Sequence, residues 1–250
     1  MSWALRFLGV GNSSAVELGS ASAVIERDGA PLLMIDCGQE ALTAYLTQYE
    51  GLPRALFITH VHMDHVAGLE RLFYAAYFSE LRGKVKLYVP APLVSYLHGR
   101  LADYPGVIAE GGANWWDGFQ LVPVTRGFWH DGHWFDVFPV RHHLPDTAFG
   151  LRLKGSLVWT GDTRPIPEVL ALHACADELV AHDCALQGNP SHSGIEDLER
   201  EYPPELLARC MFYHYSGDDA ASMRARSHRV ADAGQLVPLA EPTQARMPPA

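Results

Sequence analysis

The sequence has 250 residues, of which 48% are hydrophobic and 19% charged, and its formal net charge is −10. This balance excludes a broad, non-specific nucleic-acid surface, because such surfaces need lysine and arginine to neutralise phosphates. No run approaches the ~20 apolar residues of a membrane span, the N-terminus lacks a signal-peptide pattern, and the four cysteines form no CxxC pair. We therefore expect one cytoplasmic domain with reduced thiols.

The first fifty residues predict strands, turns and one helix. Residues 6–13 predict a strand that breaks into a loop rich in glycine, serine and asparagine, and residues 22–26 and 31–36 predict a hairpin. Apolar spacing predicts a helix over 39–49. Gly9 and Gly11 could also belong to a dinucleotide loop, but the third glycine of that motif does not follow.

Three histidines and one aspartate lie within residues 59–65, the densest group of metal ligands in the sequence. An apolar run at 55–58 predicts a strand before them, and helical periodicity from 66 to about 80 predicts a helix after them. In such a turn His60 and His62 can point at one metal, while Asp64 and His65 point at a second. The alternative is a histidine-rich surface turn that binds nothing.

The remaining sequence has no internal repeat or linker, so residues 1–237 are predicted to form one domain and 238–250 a loose tail. Trp115 and Trp116 lie in a glycine- and aromatic-rich stretch that could form a loop at a cleft rim; we favour packing on the core or at a dimer interface over contact with substrate. Strands are predicted at 85–89, 121–124, 133–140, 148–153, 157–160 and 210–213, and helices at 92–101, 168–174, 195–201 and 204–209.

Metal-ligand residues follow three of the later strands, at Arg141-His142-His143, at Asp162 and at His214. The motif HxHxDH is formed by His60, His62, Asp64 and His65. This motif, followed along the chain by a His, an Asp and a His site, resembles the metallo-β-lactamase fold superfamily over nearly the whole chain. The resemblance implies an α/β fold, a four-layer αββα sandwich, with two divalent metal ions. It places His60, His62 and His142 at one metal and Asp64, His65 and His214 at the other, with Asp162 bridging. Zinc suits these ligands best, and manganese or iron would also fit.

The second site has two adjacent histidines, which the alternation of a strand sends to opposite faces. We assign His142 as the ligand, because it follows the Pro139-Val140-Arg141 step that resembles the family pattern. His143 is then expected to contact substrate or the ligands.

Within the superfamily the sequence resembles the ribonuclease Z-like phosphodiesterases. His182-Asp183 and His192-Ser193-Gly194 resemble that group's histidine–acid and His-Ser-Thr motifs, which implies that His192 protonates the leaving oxygen. Asp183 replaces the usual glutamate and Gly194 the usual threonine, so a loop histidine bound to Asp183 is the alternative. His182 is expected near the same site.

The sequence therefore predicts a dinuclear hydrolase in which a metal-bridging hydroxide, oriented by Asp64, attacks a small anionic phosphodiester such as a cyclic nucleotide. Arg141, Arg152 or Arg164 could hold the phosphate. Lactone, ester or thioester hydrolysis is the alternative, favoured by the aromatics Trp115, Trp116, Phe128 and Trp129. A transfer-RNA nuclease is disfavoured because no basic arm is present, and a redox or sensor protein is a further alternative. The resemblance also implies a homodimer.

Overall fold

The computed structural model describes residues 1–243. The strands of this part are β1 (Trp3–Gly9), β2 (Ser22–Arg27), β3 (Ala30–Ile35), β4 (Ala55–Phe57), β5 (Val85–Pro90), β6 (Phe119–Val124), β7 (Gly127–His130), β8 (His133–Pro139), β9 (Phe149–Leu153), β10 (Leu157–Trp159), β11 (Leu179–Asp183), β12 (Cys210–Tyr213) and β13 (Leu236–Leu239). The α-helices are α1 (Ala41–Gln48), α2 (Met63–Val66), α3 (Gly68–Tyr77), α4 (Val94–Leu101), α5 (Pro167–His173), α6 (Ile195–Glu201), α7 (Pro204–Leu207) and α8 (Asp219–Ala225).

The strands form two mixed sheets. The first has the order β13-β1-β2-β3-β4-β5-β6, antiparallel from β13 to β3 and parallel from β3 to β6. The second has the order β12-β11-β10-β9-β8-β7, parallel among β12, β11 and β10 and antiparallel onward to β7. Each sheet thus combines hairpins with parallel strands that need crossover connections.

Aromatic side chains from facing strands fill the space between the sheets. The ring centroids of Phe7 and Trp159 are 5.8 Å apart, and those of Phe57 and Phe128 are 5.9 Å apart. Helices cover the outer faces: Phe138 of β8 stacks on His173 at the end of α5 with centroids 5.1 Å apart. This is the predicted four-layer αββα sandwich.

Several elements differ from the sequence predictions. β7, β11, α8 and β13 were not predicted, and the single helix expected over 66–80 is two helices, α2 and α3, of which α2 already begins at Met63. β13 pairs with β1 through Pro238 and Leu239, so the first residues of the expected tail 238–250 belong to the sheet. The last part of that tail, 244–250, lies outside the described residues.

Residues 1–243 contain no helix that is long and apolar enough to cross a bilayer.

Candidate metal centre and active site

Histidines and carboxylates collect where strands of both sheets end. His60 follows β4, His142 follows β8, Asp162 follows β10 and His214 follows β12. Backbone hydrogen bonds join the two sheets at this edge: Phe149 N–H donates to the Thr59 carbonyl at 3.0 Å, and His214 N–H donates to the Val10 carbonyl at 2.7 Å. The side chains therefore meet on a rigid edge.

One cluster consists of His60, His62, His142 and Asp162. His62 Nδ1 lies 3.0 Å from His60 Nε2 and 3.1 Å from His142 Nε2. Asp162 Oδ2 lies 3.5 Å from His60 Nε2 and 4.0 Å from His142 Nε2. Two nitrogens that share one tetrahedral zinc at ~2.0–2.1 Å are about 3.3 Å apart, so this cluster fits one cation.

The second cluster consists of Asp64, His65, Asp162 and His214. Asp162 Oδ2 lies 3.2 Å from both His65 Nε2 and His214 Nε2, and Asp64 Oδ2 lies 3.7 and 3.6 Å from the same two atoms. Among the described residues, His65 Nε2, His214 Nε2 and Asp162 Oδ1 are buried without a hydrogen-bond partner. Buried polar atoms in that state are costly, and a second cation at this cluster would satisfy them.

Outer hydrogen bonds orient the ring nitrogens. Asp36 Oδ2 holds His65 Nδ1 at 2.8 Å, and the Asp36 carboxylate also accepts hydrogen bonds from the backbone and hydroxyl of Thr59 at 2.8 and 2.7 Å. His142 Nδ1–H donates to the Ser191 carbonyl at 2.9 Å. Because Nδ1 carries the proton in such contacts, Nε2 presents its lone pair to the cluster, as metal-binding histidines require.

The electrostatics of the clusters favour a cation. Burial by itself would raise the pKa of Asp162, but the charges of His214, His65 and His60 hold that pKa well below its usual range. Burial opposes protonation of His214, yet Asp162 and Asp183 raise its pKa to about 10. A metal ion would meet the same negative field, so protons and metal compete for these ligands.

His192 and Asp183 form a third group beside the clusters. His192 Nδ1 lies 2.8 Å from Asp183 Oδ2, and the Asp183 carboxylate also accepts Thr163 N–H at 2.8 Å. The His192 ring stacks on His214 with centroids 4.8 Å apart. Burial lowers the pKa of His192, but the hydrogen bond to Asp183 and the negative charges of Asp183 and Asp162 together outweigh this effect and leave the pKa above its ordinary value.

The two other predicted histidines lie in different places. His143 is exposed, with Nε2 3.2 Å from His62 Nε2 and Nδ1 3.0 Å from the Ser191 hydroxyl. His182 is fully buried on the outer side of β11, with Nε2 2.7 Å from the Tyr202 hydroxyl. The expectation that His182 lies near the site is corrected, because β11 alternation points Asp183 inward and His182 away.

A cleft of about 620 Å³ opens onto these groups. Its lining residues are Asn12, Ser13, Val16, Ser20, Gln39, Glu40, His62, Met63, Asp64, Ala67, Asp162, His192 and His214. Among residues 1–243, no lysine or arginine lines this cleft. A phosphate in the cleft would therefore depend on histidines and bound cations.

The structure places the three predicted phosphate-binding arginines elsewhere. Arg141 forms a salt bridge with Glu168 at 2.8 Å, and Arg152 forms a buried pair with Glu178 at 2.7 Å. Arg164 is exposed and lines a second groove, which also borders His192, and it does not line the main cleft. Nearness in sequence to a strand end did not determine where these side chains point.

The predicted cleft aromatics are also placed differently. Trp115 is 1% exposed and lies 4.8 Å from the Phe119 ring in the core, and Trp116 stacks on His98. Phe128 is buried between the sheets against Tyr88 at 4.0 Å. Trp115 therefore packs on the core, as favoured over contact with substrate, and Phe128 is a core residue as well. Neither Trp116 nor Trp129 belongs to the cleft lining, so these aromatics do not form a site for an acyl chain there.

Comparison of the sequence with known proteins shows the family of the chain. The family model described as anti-Pycsar protein Apyc1 matches residues 3–236. The chain belongs to the anti-Pycsar protein Apyc1 family. It is 28% identical over 223 residues to the Apyc1 protein of Saccharibacillus brassicae, covering 85% of this chain and 89% of the relative. It is 27% identical over 245 residues to a ribonuclease Z of Mycobacterium sp. strain KMS, covering 89% and 80%.

The fold has close structural neighbours. The metallo-β-lactamase fold protein YhfI of Bacillus subtilis aligns with a TM-score of 0.74 at 15% identity, covering 95% of this chain and all of the neighbour. The predicted metallo-β-lactamase fold and its ribonuclease Z-like branch are confirmed, and the Apyc1 family member is a metal-dependent hydrolase. The histidine and aspartate clusters have the donor atoms and spacing to hold divalent metal ions.

Proposed function

We propose that this Apyc1 family member is a metal-dependent phosphodiesterase that hydrolyses small phosphodiesters, with 3′,5′-cyclic nucleotides as the substrate class. One observation carries the proposal: members of both ligand clusters, together with His192, line a single cleft of about 620 Å³. Family membership supports a phosphodiesterase of small substrates.

Two divalent ions are proposed, with zinc favoured by the nitrogen and carboxylate ligands. His60, His62 and His142 would hold the first ion, and Asp64, His65 and His214 the second, with Asp162 shared. Bound there, divalent ions lower the pKa of water towards ~7 and neutralise phosphate charge. Manganese and iron are the alternatives to test.

Two side chains act on protons. Asp64 is partly exposed in the cleft and can orient the attacking water and accept its proton as the new bond to phosphorus forms. His192 is held through Nδ1 by Asp183, so its Nε2 is free to face the cleft. Nε2–H donates its proton to the leaving oxygen as the phosphorus–oxygen bond breaks, and a cyclic nucleotide opens to one nucleoside monophosphate that carries the new hydroxyl on its sugar.

The other predicted activities have less support. The aromatics that favoured an acyl chain are outside the cleft lining. The absence of lysine and arginine from that lining, within residues 1–243, disfavours a long nucleic acid, which needs such contacts along its backbone. The homodimer and the cytoplasmic location stay predictions, and light scattering of the purified protein tests the first.

A substrate panel tests the proposal. Protein loaded with zinc, manganese or iron is assayed on bis(p-nitrophenyl) phosphate, cyclic nucleotides and acyl lactones, with Asp162→Asn as the inactive control. We expect turnover of the phosphodiesters alone. Lactone turnover without phosphodiester turnover would overturn the proposal.

A further inference from the structure

The wall of the cleft away from the ligand clusters is built by the loop after β1 and by residues 38–40 after β3. This wall combines the polar side chains of Asn12, Ser13, Ser20, Gln39 and Glu40 with the apolar side chain of Val16, and Met63 of the ligand-bearing turn lines the same cleft. Val16 is 64% exposed and Met63 is 46% exposed, although both are large and hydrophobic. Exposed apolar groups beside a polar cleft suit contact with the faces of a planar ring.

Glu40 is the charged residue of this wall, and it is fixed in place. Its Oε2 accepts hydrogen bonds from the Ser20 backbone N–H at 3.2 Å and from the Ser20 hydroxyl at 2.5 Å. Its Oε1 accepts no hydrogen bond from the described residues. One oxygen of a held carboxylate is therefore available to a ligand.

The segment that carries Glu40 is packed tightly against the turn of residues 59–65, here called the catalytic turn. A Cβ added at Gly38 would lie 1.9 Å from the Asp64 carbonyl oxygen, and one added at Gly68 would lie 2.4 Å from the Gly38 carbonyl oxygen. These close approaches require glycine at both positions. They hold Glu40 at a constant position relative to the ligand clusters.

A carboxylate oxygen only accepts hydrogen bonds, so the ligand group that meets Glu40 must donate one. With the phosphate of a cyclic nucleotide at the clusters, the part that extends to the wall is the sugar and base. An exocyclic amino group on the base would donate to Oε1, whereas an oxo group in its place would put lone pairs against the carboxylate. A site that is built for a donor rejects ligands that lack it.

We infer that Glu40 is a specificity-determining residue that selects bases with an exocyclic amino group, such as cytosine and adenine, over their oxo counterparts uracil and hypoxanthine. This inference rests on the proposed function. Val16 and Met63 contact the faces of the base, and Ser20 acts as a positioning residue that holds the Glu40 carboxylate. The negative charge of Glu40 also disfavours substrates with a second phosphate near the base.

The experiment compares kcat/KM within two substrate pairs, cyclic CMP against cyclic UMP and cyclic AMP against cyclic IMP. Hydrogen bonds to charged groups are strong enough for a preference on the order of tenfold for the amino base. Glu40→Gln keeps an acceptor for Ser20 but presents an amide, so the preference should vanish or reverse. Ser20→Ala should give an intermediate ratio. Glu17→Gln, which removes the same charge from an exposed residue outside the cleft lining, should keep the ratio.

A binding measurement separates the inference from the proposed function. The phosphorothioate analogues of cyclic CMP and cyclic UMP are titrated calorimetrically into metal-loaded protein and its Glu40→Gln variant. Tighter binding of the cytosine analogue that depends on Glu40 supports the inference even if no cyclic nucleotide is hydrolysed, which would overturn the function alone. Equal binding of the two analogues, or a preference that survives Glu40→Gln, overturns the inference.

Discussion

Replacing His192 with alanine should damage catalysis in a way that depends on the leaving group. His192 borders the cleft and is held by the fully buried Asp183 at 2.8 Å, which fixes the ring for proton donation. General acids contribute about 10²–10⁴-fold to rates, or roughly 2.7–5.5 kcal/mol of transition-state stabilisation. We expect a loss of kcat in this range for a cyclic nucleotide, whose leaving alkoxide needs a proton.

The assay compares two substrates in the same variant. Bis(p-nitrophenyl) phosphate releases p-nitrophenolate, which leaves without protonation, so His192→Ala should reduce its kcat by less than about tenfold. His98→Ala serves as the control, because His98 is half exposed beside Asp103 and does not line the cleft. Equal losses for both substrates would refute proton donation and would indicate that His192 positions His214 or the substrate.

Three further predictions concern metal binding and stability. His142→Ala should lose bound metal in elemental analysis while His143→Ala retains it, because His142 Nε2 lies in the cluster and His143 is exposed. Gly38→Ala should lower the free energy of unfolding in urea by at least ~1–3 kcal/mol, because its Cβ would lie 1.9 Å from the Asp64 carbonyl. Arg152→Met should lower the same quantity by ~3–5 kcal/mol, because it leaves the buried Glu178 carboxylate without its counter-charge.

Each of these predictions has a control and a contrary outcome. Metal loss in His143→Ala alone would reverse the ligand assignment. Gly99→Ala, in α4 with open space around it, should not destabilise the protein; equal effects at Gly38 and Gly99 would show that the junction can relax. Adding Glu178→Gln to Arg152→Met should recover part of the stability, and no recovery would exclude an uncompensated charge as the cause.

The grouping of the predicted ligands could be anticipated because it depends on local spacing and on strand ends. The HxHxDH turn lies within residues 59–65, and Asp162 and His214 each follow a short apolar strand. The ends of β4 in one sheet and of β10 and β12 in the other bring these residues together. The fold was predicted from the resemblance of these motifs to the metallo-β-lactamase superfamily. The directions of long side chains could not be predicted from the sequence, because they depend on ion-pair partners distant in sequence. Arg141 pairs with Glu168, and Arg152 forms a buried pair with Glu178.

The elements missed from the sequence share a physical feature: their tertiary setting, more than their own pattern, stabilises them. β11 is a five-residue strand buried between β10 and β12, where the sequence drew attention to His182 and Asp183 as a motif. β13 is a short strand with Pro238 at its centre, formed by pairing with β1. Glu40 had no motif at all, and its approach to the cleft is visible only once β3 and the catalytic turn are packed together.

The central claim is that water attacks phosphorus in a small cyclic phosphodiester at the metal centre. Phosphorus-31 NMR of cyclic CMP, incubated with metal-loaded protein in water enriched in oxygen-18, tests it directly. We predict a nucleoside monophosphate that carries one oxygen-18 on phosphorus, formed by the wild type and not by Asp162→Asn. Unchanged cyclic CMP, or label found on the sugar and not on phosphorus, would contradict the claim.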